Sequence, residues 1–541
     1  MPIPPTPKRS RSRRGRGAGR WAQSAALGAA SLGAATGCFT SDDGLAPPKA
    51  SFYYPTGLSV SPGGTALFVA NSDFDLQYSG GTVQALDLVA LRGELATVRR
   101  ALGDSGGSAS ACGGLGPNTQ RILVPGPCGP LDAASKITRW ATIGAFASGS
   151  LLAHRPDGEA GAAARLFVPV RGDPSVTFFE ITDDRVDPPV VPAGCGQTVC
   201  LECGVQGSER RCGPEHRVGE DPTDNPRGLV LPVEPVGIAA TEDGKALVVA
   251  HQTTNQASLL FNDWAGQPTL EYFLGNLPAG PAEVAAVPEP RFAQQARVAN
   301  PSFDYQPSFL MTYRAAAEVD VLRFHADEGS SPRRPFLTRV FAEPIQTNSS
   351  GADSRGIAVD PSARRACEAG CDPADVACLR SCADIPIRVF VANRAPATLL
   401  LGELATEITE TEVGGVKTAT GAFDTLHIYD SVALATGPSK VVLGEVIDSS
   451  GERKLRVFAV AFDSRLVFSY DPEARRVESI IRTGRGPHAI AFDVADDHAY
   501  MYVGHFTDSY VGVVDLDMRN SVTFGEMFAS VGAPLPPQEA Q

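Results

Sequence analysis

No stretch of eighteen or more consecutive apolar residues occurs in this 541-residue chain, so the sequence encodes no bilayer-spanning helix. Basic residues are scarce beyond the start. Of the 47 Lys and Arg, seven (Lys8, Arg9, Arg11, Arg13, Arg14, Arg16, Arg20) fall within residues 1–37, which leaves 40 against 61 Asp and Glu, a net of −21. A body of that charge repels phosphate backbones, which excludes nucleic acid as a partner. Histidine is also sparse, with 8 in all and none before His154. What the chain has in quantity is Gly (55) and Pro (43), the residues that many short strands need at their turns.

The start of the chain reads as an export signal. The basic region is followed by a run of small and apolar residues from Ala22 and by Ala35-Thr36-Gly37-Cys38. This resembles a bacterial lipoprotein signal, with Ala35 standing where Leu is usual. The resemblance implies removal of residues 1–37, lipidation of Cys38 and a polar tether over 38–50. Phe39, rather than Asp, after the cysteine implies outer-membrane placement, on the periplasmic or the outer face of the cell. The alternative is an ordinary signal cut near Ala35. With Cys38 set aside, ten cysteines remain in clusters of two, four and four: Cys112 and Cys128; Cys195, Cys200, Cys203 and Cys212; Cys367, Cys371, Cys378 and Cys382. Even clusters in an exported chain are expected to oxidise to disulfides.

The rest of the chain repeats one unit. Its last copy has a Gly486-Pro487 turn, apolar runs over 489–492, 500–503 and 511–516, and a polar turn at Asp496-Asp497-His498. Related sets open at Pro55-Thr56-Gly57-Leu58, Gly149-Ser150-Leu151, Pro235-Val236-Gly237-Ile238, Gly280-Pro281, Arg355-Gly356-Ile357 and Gly437-Pro438. Seven units of short strands predict an all-β, seven-bladed β-propeller over 51–530, built of four-stranded antiparallel blades, with a flexible tail over 531–541. A fourth strand of the first unit is expected near 95–99. The pattern Pro-x-Gly-Ile/Leu, then apolar-Val-Ala-Asn, then Val-x-x-Leu-Asp resembles YVTN-type propellers, relatives of lactonase-like repeat proteins. Each unit takes roughly 68 residues where a blade needs about 40–45. The surplus is expected as disulfide-bearing loop insertions over 100–142, 185–232, 263–279 with 288–306, 363–387 and 403–436.

Several constellations invite chemistry. Cys367-x3-Cys371 and Cys378-x3-Cys382 place pairs four apart on helical faces, which predicts two short helices stapled by Cys367–Cys382 and Cys371–Cys378. Copper or zinc is the rival there, without a nearby histidine to serve it. The four cysteines over 195–212 do not have zinc-knuckle spacing, and two disulfides are expected with connectivity open. Gly103-Asp104-Ser105-Gly106-Gly107 has the form of a trypsin-like nucleophile segment, but that family needs its histidine upstream of the serine, and none precedes His154.

The second strands of the units end near Asn71, Arg171, His251, Arg314, Asn393 and His505, and His488 lies before a first strand. In a propeller these ends share a face, so the seven are expected to form a polar channel rim for a small ligand or an envelope protein. No cofactor is expected, a metal on the rim being the rival. The predicted function is that of an exported, lipid-anchored binding or scaffolding module that meets the membrane only through its lipid. The alternative is a lactonase-like or metal-dependent hydrolase using the rim, with quinoprotein redox chemistry a third choice.

Overall fold

A computed structural model describes residues 45–157, 161–193, 195, 199–327, 329–345, 353–413 and 416–537. Cys38 and the leader lie outside the described residues. Seven antiparallel sheets follow one another along the chain, each with its strands in sequence order; the second carries one further short strand, Arg217–Val218. The sheets are the blades of a seven-bladed propeller. Their first strands are Pro55–Val60, Leu151–His154, Pro235–Ala240, Pro281–Ala286, Ser354–Asp360, Pro438–Ile447 and Pro487–Ala495. First strands of successive blades from 2 to 7 pack side by side, that of blade 7 packs against that of blade 1 to close the ring, and Ser59 of blade 1 meets Ser150, at the foot of blade 2, at 2.8 Å.

The second strands show why alternation is blurred in the sequence. Ala66–Asn71, Ala246–His251, Ser308–Tyr313 and His498–His505 are buried at every position. A neighbouring blade covers each face of these strands, so both faces are apolar and a period of two is lost.

The Pro-x-Gly signature has a structural cause. In six blades the first strand bulges just after its opening Pro or Ser, as between Pro55 and Gly57, Ser354 and Gly356, and Pro487 and Ala489. A bulge re-aims one side chain, here the x residue, toward the axis. The glycine lets adjacent first strands approach: a Cβ on Gly57 would sit 2.8 Å from the backbone of Gly149 and Ser150, and one on Gly356 2.7 Å from Lys440.

The segment expected to hold the fourth strand of blade 1 is instead a helix, α1, Leu88–Asp104; that strand is Ile137–Thr142. Leu88, Leu91, Leu95, Val98 and Leu102 recur at steps of three and four and are all buried, a helical stripe rather than a strand. The Asp87 carboxylate accepts the Ala90 N–H at 2.9 Å and caps the first turn.

The helix has a specific task. Blades 1 and 7 share no strand, because each is built from one continuous stretch of chain. The α1 stripe instead joins one core with Tyr500, Tyr502, Val513 and Phe528 of blade 7. Arg92 pairs with Asp493 at 2.9 Å. The following loop, braced by Cys112–Cys128, brings Leu131 against the outermost strand of blade 7: its N–H donates to Ser530 O at 2.8 Å, and its carbonyl accepts from Gly532 at 2.9 Å. A helix and a disulfide loop thus clasp the ring shut.

Two expected insertions are largely blade. Thr269–Leu274, within 263–279, is the fourth strand of blade 3, and 403–436 continues one long hairpin, Ala397–Val413 with Val416–Ala433. Two of the other insertions, 288–306 and 363–387, carry helices α2 (Arg291–Ala299), α3 (Ser362–Ala369) and α4 (Val376–Ala383). Residues of α2 and α4 pack with Phe303, Tyr305 and Ala422 in a satellite core. The staple pairs Cys367 with Cys382 and Cys371 with Cys378, as the spacing predicts, and the earlier cluster closes as Cys195–Cys200 and Cys203–Cys212.

Candidate functional site at the channel mouth

The turns that follow the second strands and the starts of the first strands meet at one end of the channel. They enclose a cavity of about 360 Å³. From the ends of the second strands and the turns after them come Ser72, Arg171, Gln252, Arg314, Arg394, Phe462 and Phe506, one from each blade; from the bulged first strands come Thr56, Val236, Glu283, Arg355, Lys440 and His488. That volume lies in the range of small-ligand sites.

The seven residues named from sequence divide into two groups. Arg171, Arg314 and His488 line the cavity. Asn71, His251, Asn393 and His505 are buried to 1% exposure or less and stand one residue earlier, at or next to the strand ends, inside the blades. There they tie strands together. Asn71 donates to Thr82 Oγ1 at 3.0 Å and Gln84 Oε1 at 3.1 Å, and accepts from the Tyr53 N–H at 3.0 Å. His251 Nε2 meets Ser258 Oγ at 2.7 Å. Asn393 accepts from Ser354 Oγ at 3.1 Å and donates to Pro396 O at 2.9 Å. His505 Nε2 accepts the Gly484 N–H at 3.0 Å while its ring stacks on Tyr510, centroids 4.1 Å apart. Successive strand residues point to opposite sides, so one residue separates a girdle inside the blades from the cavity wall. The rim reading of these four is therefore corrected by their burial.

The residues that the sequence reading missed are Arg355, Arg394, Lys440, Glu283, Phe74, Phe462 and Phe506. Arg394 and Phe506 each follow a residue that had been singled out, and Arg355 opens one of the repeats. The register of the bulge was the missing signal.

The wall is chemically lopsided. On blades 4 and 5, Arg314, Arg355 and Arg394 stand near one another, and the neighbouring guanidiniums, after burial, help push Arg314 below the ordinary arginine range. Asp353 takes a bidentate pair from Arg355 at 2.8 and 2.7 Å, and lies 3.6 Å from Arg314. Arg394 pairs with Asp463. Three cations thus share two carboxylates, and Arg314 is held least. Elsewhere the charges balance singly, Arg171 with Glu234 and Lys440 with Glu283, each at 2.8 Å.

Across the ring, blades 6, 7 and 1 contribute an aromatic arc. Phe74 and Phe506 lie 5.1 Å apart, Tyr54 and Phe506 5.0 Å, and His488 and Phe506 6.0 Å. Burial, aided by Lys440, pushes His488 down to about 4, so its imidazole is neutral at neutral pH. Thr56 O lies 3.2 Å from Nδ1, which makes Nδ1 the protonated nitrogen and leaves the lone pair on Nε2.

A larger cleft of about 760 Å³ opens at the opposite end of blades 2 to 4, beside His154, Arg185, Glu289 and Arg297. Only these blades build it, whereas the mouth draws a residue from every one. Among the described residues no group of three or more His, Cys, Asp or Glu is placed to hold a metal ion.

No family model matches the chain, and no curated protein matches it in sequence. Solved structures do resemble it. Hydrazine synthase of Kuenenia stuttgartiensis is similar over 86% of this chain and 97% of its own, at 13% identity and a TM-score of 0.43. The periplasmic gluconolactonase of Pseudomonas aeruginosa is similar over 80% of this chain and 86% of its own, at 13% identity and a TM-score of 0.39.

Proposed function

We propose that this chain is an exported propeller, held at the cell envelope by a lipid on Cys38, that binds a small organic anion at its channel mouth. One observation carries the reading: three guanidiniums share two carboxylates on one arc of a cavity whose facing arc is aromatic. A carboxylate or phosphate supplies the missing counter-charge at Arg314, and a charge-assisted bond there is about twice as strong as a neutral one. The apolar part of such a ligand rests on Phe74 and Phe506. Five disulfides among the described residues support an oxidising compartment.

The test is a thermal-shift comparison of benzoate, benzyl alcohol and acetate at equal concentration. Benzoate should stabilise most, since it alone offers both an anion and a ring. Equal shifts from benzoate and benzyl alcohol would refute the anion site. Mass spectrometry of the mature N-terminus tests the anchor, and an unmodified terminus ahead of Cys38 would remove it.

His488 favours a second reading, a lactonase-like hydrolase, because a neutral imidazole in a ligand cavity can serve as a general base. Turnover of a simple lactone that His488→Gln abolishes would establish it. Turnover that survives the change would remove His488 from that role. The metal-dependent variant of this reading finds no ligand set among the described residues.

A further inference from the structure

We infer that the mouth end of the propeller docks on a lipid surface through an apolar edge formed by blades 7 and 1. Large apolar side chains left exposed in a monomer gather where something covers them. Leu45, Phe74 and Leu76 are 68%, 48% and 61% exposed, and Leu45 forms a bridge with Tyr78 that joins all three into one loop edge. Ile122 and Leu535, 87% and 46% exposed, belong to the same end. Beside Ile122, the Leu123 carbonyl accepts from the hydroxyl of Tyr510, the mouth-end residue of its strand, at 3.1 Å. The Leu535 N–H donates to Asp508 O at 2.7 Å, in the turn between the second and third strands of blade 7.

The loop is built to hold these side chains out. Asp73 is fully buried, and its carboxylate accepts the Tyr78 N–H at 3.2 Å. Leu76 is held at φ 55°, a left-handed conformation that a branched apolar residue adopts at a cost. Phe74 is wedged edge-on against Phe146 and Phe506. Tyr53 and Tyr78, edge to face with centroids 4.7 Å apart, add the kind of amphipathic rings that settle at a membrane interface. Arg121 precedes Ile122, and Arg485 at this end is paired with the buried Asp508; Asp75 is exposed on the edge and takes the Tyr53 hydroxyl.

The choice of a lipid surface over a protein partner comes from the covalent chain, and it rests on the anchor proposed above. Cys38 precedes Leu45 by seven residues. Fully extended, seven residues span about 25 Å, so a lipid on Cys38 leaves this end of the propeller, rather than the end carrying α3 and α4, within reach of the bilayer. The lipid holds the chain at the bilayer, and an apolar patch adds buried area that fixes which face of the propeller meets it. The mouth then opens toward the lipid, which suits a ligand with an anionic head and an apolar body.

The experiment adds one tryptophan, Leu76→Trp or, on α4, Val376→Trp, to the full-length protein, and the quenching of the wild type, with its own three tryptophans, is subtracted as the baseline. Each is mixed with phosphatidylethanolamine–phosphatidylglycerol vesicles carrying brominated acyl chains, and circular dichroism checks the fold. Bromine should quench the Leu76→Trp emission at least twofold more than that of Val376→Trp. Equal quenching, or quenching of Val376→Trp alone, overturns the inference. The Cys38→Ser protein separates the two readings. Vesicle binding that Leu76→Asp with Leu535→Asp weakens at least tenfold supports docking even if mass spectrometry finds no lipid. Lipidated protein whose Leu76→Trp probe stays unquenched keeps the anchor and loses the docking.

Discussion

Asn393 and Arg394 are neighbours in one strand, yet one is fully buried and tied to Ser354 and Pro396, while the other walls the cavity and meets Asp463. The same division separates His251 from Gln252 and His505 from Phe506. The girdle holds the blades, and the lining, one residue on, carries recognition. Polar residues in a propeller channel are thus not equivalent, and hydrogen-bonding capacity alone does not mark a ligand site. Mutations in the two layers should therefore fail in different ways.

The largest effect is expected in the girdle. His505→Ala removes a ring stacked on Tyr510 and orphans the Gly484 N–H, which should cost about 3–5 kcal/mol of stability in chemical denaturation. A loss below about 1 kcal/mol would dissolve the distinction between the layers. The clasp supplies a reference of similar size: removing Cys112–Cys128, which closes a loop of separation 16, should cost about 3 kcal/mol.

Protonation gives a second contrast. Burial pushes His251 down to about 4 and His505 to about 3, from 6.5. The unfolded chain binds these protons first as pH falls, so stability is full above about 6.5 and declines toward the folded values. The slope is about 1.4 kcal/mol per pH unit per imidazole. Asp73, raised by burial to about 6, works the other way, since it holds its proton longer when folded and loses that contribution as pH rises. His251→Gln should flatten the acid limb by about one imidazole between pH 6 and 5. An unchanged slope would mean that this ring is not held neutral by the fold.

The smallest change in stability belongs to the lining. Arg314→Ala, at a half-exposed side chain 3.6 Å from its carboxylate, should alter stability by less than about 1 kcal/mol. A loss comparable to that of His505→Ala would make Arg314 part of the scaffold.

Much of the fold was legible because turns and apolar runs recur: Pro55–Val60 and Pro487–Ala495 fall where the pattern places them. The disulfide hairpin was legible because a four-residue spacing states a helical face. The clasp helix was not read, since its three-and-four stripe of leucines sat inside a chain otherwise parsed for strands. The site was only half legible. Strand ends can be located to about a residue, and in a strand one residue decides between inside and outside. A bulge in six blades compounds the error, because it brings the one or two residues after the opening Pro or Ser onto the channel wall without any change of residue type. Arg355 and Lys440 therefore emerged as a site only when the blades faced one another.

The most direct test is calorimetric titration of benzoate into the wild-type protein, Arg314→Ala and His251→Gln under matched conditions. Binding should weaken at least tenfold in Arg314→Ala, and folded His251→Gln should bind as the wild type does. Equal affinity in the wild type and Arg314→Ala, or a loss confined to His251→Gln, would contradict the assignment of recognition to the lining and of support to the girdle.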